Sequence, residues 1–198
     1  MKLTYTLPAS ALLALSAAAM PAFAVDIYSV VLTGANEAPS NGSTGIGVGL
    51  VTIDTVLHTL RVQTTFANLV GNVTASHIHC CTANAGAGTA GVATPTPTFP
   101  GFPLGNTFGS YDQTFDMNLA SSWNAAYITA NGGTPLTAFA AFNTGVQAGK
   151  AYLNIHTSFV PGGEIRGFLA PVPEPGSYAL MLAGLAGIGW VARKRQQA

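Results

Sequence analysis

From Asp26 onward, apolar and polar residues alternate in short runs bounded by Gly, Asn and Pro, which is the pattern of half-buried β-strands. Ile27 to Thr33, Ile46 to Asp54, Leu60 to Phe66 and Val73 to Cys81 predict four strands, separated by a turn-rich loop over 34–45 and a tight turn over 55–58. Residues 83–112 break the alternation. Gly, Thr and Pro dominate there, the prolines exclude a regular ladder, and Phe99, Phe102, Leu104 and Phe108 predict that the segment packs over one end of the β structure. Alternation returns at Tyr111 to Leu119. Two short helices are expected, near 122–129 with Ser121 or Ser122 as cap and near 136–147, before a final hairpin of Ala151 to Ser158 and Glu164 to Leu169 joined at Pro161-Gly162-Gly163. Short strands at close spacing predict an antiparallel sandwich or barrel.

The two ends of the chain are apolar without alternation. Lys2, the run from Leu7 to Ala19 and the small-x-small site Ala22-Phe23-Ala24 predict a signal peptide over 1–24, cut by signal peptidase as the protein crosses the inner membrane. At the other end, an apolar segment over about 177–192 precedes Arg193-Lys194-Arg195. Its roughly 15 apolar residues are short for a span, but the basic residues can snorkel, so a transient transmembrane anchor is expected. Residues 25–171 are then one ordinary domain.

Charge narrows the function classes. Within that domain Arg61, Lys150 and Arg166 face Asp26, Glu37, Asp54, Asp112, Asp116 and Glu164, a mildly acidic balance with no basic stripe, which argues against nucleic-acid binding. The sequence holds no nucleophile elbow or phosphate loop, and its scattered acids define no glycosidase pair. Trp123, Tyr111, Phe99 and Phe102 are the aromatic candidates for stacking on a polysaccharide; packing explains them equally well.

The sharpest chemistry lies in Ser76-His77-Ile78-His79-Cys80-Cys81 and Tyr152-Leu153-Asn154-Ile155-His156-Thr157. In a strand, alternate side chains share a face, so His77 and His79 point together about 7 Å apart, and His156 joins them if the second strand lies nearby. Three neutral imidazoles with one open position suit copper or zinc. A hydrogen-bonded histidine cluster that ties the loop to the last hairpin is the plainer alternative. Glu37 and Glu164 are candidate oxygen ligands or acceptors that orient an imidazole, although a Glu164–Arg166 pair at i and i+2 competes for Glu164. Cys81 shares the histidine face as a candidate fourth ligand. Cys80 and Cys81, the only cysteines, are disulfide candidates with each other or between chains, or remain thiols. His58 reads as a solvated turn residue.

Several segments together resemble the CHRD domain: Leu32-Thr33-Gly34-Ala35-Asn36-Glu37-Ala38-Pro39, Ala75-Ser76-His77-Ile78-His79, Tyr152 to Thr157, and Gly162-Gly163-Glu164-Ile165-Arg166-Gly167. The end of the chain, with Pro173, Glu174 and Pro175 ahead of the apolar segment and basic cluster, resembles the PEP-CTERM sorting tail. That resemblance implies processing by an exosortase and a place at the cell surface or in the extracellular matrix of a Gram-negative bacterium, with exopolysaccharide or other biofilm matrix components as partners. A narrower likeness to copper/zinc superoxide dismutase rests on the His-x-His strand, but that enzyme needs more histidines and an aspartate, and only His58 remains here. The expected fold is mainly β: an antiparallel β-sandwich with an immunoglobulin-like or superoxide-dismutase-like Greek key, a long Pro/Gly-rich loop and one or two short helices. The expected function is an exported binding or structural module with a mononuclear metal site at His77, His79 and His156. The alternative is a small copper- or zinc-dependent redox enzyme.

Overall fold

The computed structural model describes residues 25–173 and 175–196. The expected signal peptide and Glu174 of the sorting motif lie outside the described residues. Alternation builds the strands as expected. In β1 (Val25–Thr33) Tyr28, Val30 and Leu32 are buried, and β2 (Ile46–Asp54) and β3 (Thr59–Ala67) turn Val51, Ile53, Leu60, Val62 and Phe66 to the same core. With β4 (Val73–His79), β5 (Gly109–Asp116), β6 (Tyr152–Thr157), β7 (Ile165–Phe168) and β8 (Ala170–Pro171), they form one antiparallel sheet in the order β4-β6-β7-β1-β2-β3-β5, with β8 also beside β1. The sheet curls into a half-barrel, so the layers of the expected sandwich are arms of one curved surface. Inside the curl, Phe99, Phe115, Met117, Trp123 and Phe142 pack with the strand residues. Burying each such side chain contributes about 1.5–3 kcal/mol, whereas the Arg61–Asp112 ion pair at 2.6 Å is solvent-screened, so packing holds the curl.

Two short helices sit where the sequence predicts them, with shifted starts. Ser121 and Ser122 fall in a 3-10 turn, and Asn124 caps α1 (Ala125–Ala130) by accepting the Ala126 N–H at 3.0 Å. Thr134 and Thr137 form a capping box on α2 (Pro135–Gln147), with Pro135 in its first turn.

The Pro-rich segment does not cover an end of the sheet. It runs along the free edge of β4. The Ala93 and Phe99 N–H groups donate to the Ile78 and Ser76 carbonyls at 2.9 Å each, while the Thr94 and Thr98 hydroxyls accept the Ile78 and Ser76 N–H groups at 2.9 Å each. Prolines cannot donate to a ladder, and the threonine side chains between them supply acceptors instead. Phe99 and Phe102 are buried as expected, but Leu104 and Phe108 are exposed. Trp123 and Tyr111 are buried too, so none of the four aromatic candidates presents a face for stacking on a sugar.

β8 pairs with β1 at Tyr28 and Ser29, and the Val172 N–H donates to the Ile27 carbonyl at 2.8 Å. Thr33, at the other end of β1, stands opposite Arg166, which stands opposite Asn154 and, beyond it, His77. A helix, α3 (Pro175–Gln196), follows. It corrects the expected transmembrane anchor over 177–192: among the described residues, no helix is long and apolar enough to cross a membrane. Glycines at 184, 187 and 189 dilute the apolar run, and Arg193, Lys194 and Arg195 occupy its last turn.

Candidate metal centre

β4 and β6 are hydrogen-bonded neighbours, with His77 opposite Asn154, His79 opposite Tyr152 and Ala75 opposite His156. Ile78, Leu153 and Ile155 enter the core, so His77, His79 and His156 share the other face. Their ring centroids lie 5.1 Å (His77–His79), 4.7 Å (His77–His156) and 5.7 Å (His79–His156) apart. One nitrogen from each ring comes within 4.8 Å of the others. His77 Nδ1 and His79 Nε2 are 3.3 Å apart. That matches the edge of a tetrahedron whose metal–nitrogen bonds are about 2.0–2.1 Å.

Backbone carbonyls fix the tautomers, because a carbonyl only accepts. His79 Nδ1 donates to the Ala90 carbonyl and His156 Nδ1 to the Pro161 carbonyl, at 2.9 Å each, which leaves each Nε2 as a bare lone pair. His156 Nε2 is buried with no partner. His77 Nδ1 faces His79 Nε2. Histidines that bind metals are oriented in this way, each donating its second N–H to an acceptor behind it.

Electrostatics keep the rings neutral. Burial, then the His156 and His79 rings, push His77 down to about 3. Burial, helped by His156 and Arg166, takes His79 to about 4 against the Ala90 carbonyl, and burial also lowers His156. Neutral imidazole is the form that binds metal.

Arg166 reaches the site through a stack. Its guanidinium lies 4.7 Å above the Tyr152 ring, and Tyr152 lies 4.8 Å from His79 with the two planes only 4° apart. Arg166 Nε donates to the Asn36 carbonyl at 2.6 Å and lies 3.7 Å from Glu37 Oε2, both side chains being buried. Arg166 therefore pairs with Glu37, not with Glu164 as the i, i+2 spacing predicts. Burial raises Glu37 to about 7, although Arg166 and the Ala38 N–H pull it down. Glu164 is held elsewhere, accepting from the Ser43 and Thr157 hydroxyls at 2.5 Å each and from the Val70 and Gly71 N–H groups at 2.7 and 3.0 Å. Burial opposes its charge, but these four donors outweigh burial and hold the carboxyl below its ordinary range.

Cys80 and Cys81 form a disulfide with each other, so Cys81 brings no thiolate to the triad; its sulfur lies 3.7 Å from the Tyr127 hydroxyl. His58 Nδ1 lies 2.9 Å from Asn118 Oδ1, and its ring packs 5.0 Å from Phe139, apart from the triad strands. Tyr152 and Asn154 belong to the site but not to the set of residues expected from sequence. The available signal was that they share the strand parity of His156.

Against protein-family models, residues 28–169 match the CHRD domain and residues 171–196 match the PEP-CTERM protein-sorting motif. No curated protein matches, and no solved structure does.

Proposed function

Because the chain belongs to the CHRD domain family and carries a PEP-CTERM protein-sorting motif, we propose that it is an exported binding module of the cell surface or extracellular matrix that holds one copper or zinc ion through His77, His79 and His156. The sorting motif marks the chain for export and exosortase processing. The observation that carries the metal reading is the pair of Nε2 lone pairs on His79 and His156, each on a ring anchored from behind by a backbone carbonyl, that converge with His77 Nδ1. A cluster that existed only to tie loop to hairpin would pair all of its inward nitrogens, yet beside the His77–His79 contact His156 Nε2 is buried and unpartnered. A binding role is favoured over redox turnover because His77 and His79 are only 7% and 8% exposed, and the grooves along β1, β2, β3 and β5 are lined by none of the three rings.

The test is elemental analysis of the full chain after chelation and reloading. About one ion per chain is expected, lost in both His156→Ala and the His77→Ala/His79→Ala pair. A wild-type chain that retains no metal would sink the reading.

A further inference from the structure

Two other buried polar atoms on this face lack partners: Glu37 Oε1 and the carboxamide oxygen of Asn154. Asn154 is 2% exposed, and leaving a buried acceptor unpaired costs about 1–3 kcal/mol. The two side chains meet over Gly163, where an added Cβ would lie 2.8 Å from Glu37 Oε1, 2.7 Å from Asn154 Oδ1 and 2.5 Å from Asn154 Nδ2. Asn154 stands directly opposite His77 and two residues before His156, so it borders two of the three rings, and Glu37 meets it over Gly163.

All the unpartnered atoms here, the two oxygens and His156 Nε2, are acceptors. Three imidazole nitrogens leave a fourth tetrahedral position, and a water on a metal ion has two O–H donors to give. Resting on the metal reading above, we infer that the fourth ligand is an exchangeable water whose two protons are accepted by Glu37 Oε1 and Asn154 Oδ1. Glu37 thus acts behind the water and is not itself a ligand. Arg166 holds Glu37 from the far side, at 3.7 Å, and fixes where that acceptor points. The position is accordingly tuned for a small neutral donor. An anion placed there gains nothing from Asn154 Oδ1 and is repelled by the Glu37 carboxylate.

The experiment loads the full chain with Cu²⁺ and measures copper stoichiometry, water-proton relaxation and azide affinity in wild type, Asn154→Leu and Glu37→Gln. The expected result is unchanged stoichiometry, an exchangeable water in wild type, and azide binding about tenfold tighter in each variant, the size of one lost charge-assisted hydrogen bond. Glu37→Gln keeps the shape of the side chain and carries the test alone if Asn154→Leu does not fold. Copper bound in all three proteins with equal azide affinity would overturn the water site and leave the metal reading standing, as would a zinc-loaded structure with the Glu37 carboxylate on the metal. A wild-type chain that takes up no copper would overturn both.

Discussion

The Thr94 hydroxyl accepts the backbone N–H of Ile78 at 2.9 Å, in the place where a neighbouring strand would offer a carbonyl. Ile78 separates His77 from His79, so this side chain anchors the His-x-His strand on its open side. Thr94→Val keeps the shape and removes the acceptor, leaving a buried N–H unpaired at a cost of about 1–3 kcal/mol. Amide hydrogen exchange should show Ile78 losing protection while Leu153 keeps it; unchanged exchange at Ile78 would refute the role.

Glu164 is a buried polar anchor held by Ser43, Val70, Gly71 and Thr157. Glu164→Gln replaces an oxygen that accepts by an amide that donates toward N–H groups, losing two of four charge-assisted bonds, and should destabilise by about 3–5 kcal/mol in urea unfolding. A loss below about 1 kcal/mol would place the anchor elsewhere.

Acid should weaken the metal-free fold through the triad. His77 and His79 titrate near 3 and 4 when folded and ordinarily at 6.5, so between those limits the unfolded chain binds more protons and stability falls as pH falls. Glu37 works the other way: its folded value of about 7 exceeds its ordinary 4.5, so its contribution is present below 4.5 and is lost as pH rises through 7. Melting temperatures from pH 7 to 4 should therefore fall less steeply in His77→Gln/His79→Gln and more steeply in Glu37→Gln. Parallel curves would contradict this assignment.

Zinc at a hundredfold excess over its dissociation constant should stabilise the fold by about 2.7 kcal/mol, reversibly with chelator, and should leave His156→Ala unmoved. Calorimetry reads this directly.

Gly145 faces the disulfide: an added Cβ would fall on the sulfurs of Cys80 and Cys81. Alanine is the better helix former by about 1 kcal/mol, yet Gly145→Ala should be destabilising by about 1–2 kcal/mol because overpacking costs about 1–3. In a Cys80→Ala/Cys81→Ala background the same change should become neutral or favourable, a coupling that a double-mutant cycle measures.

Strand parity made the pairing of His77 with His79 legible in sequence, and it put His156 on the matching face of its own strand. Adjacency is different. That β4 and β6 are neighbours follows from the order of strands in a curled sheet, which local alternation does not encode. The Glu37–Arg166 pair escaped for the same reason: Arg166 meets the loop after β1, not its neighbour at i−2. The prolines correctly signalled the absence of a ladder, but the threonines between them spell out no partner until the segment is laid along β4.

The bond from the Val172 N–H to the Ile27 carbonyl places the start of β1 and the departure of the sorting tail side by side. Thr33 lies six residues further along β1, roughly 20 Å away at the rise of a strand, in the row that leads through Arg166 and Asn154 to His77. The start of β1 and the sorting motif thus share one pole of the domain, and the histidines lie toward the other, away from the end at which an exosortase would act. Removal of the tail would therefore leave the triad, with His77 and His79 buried, untouched.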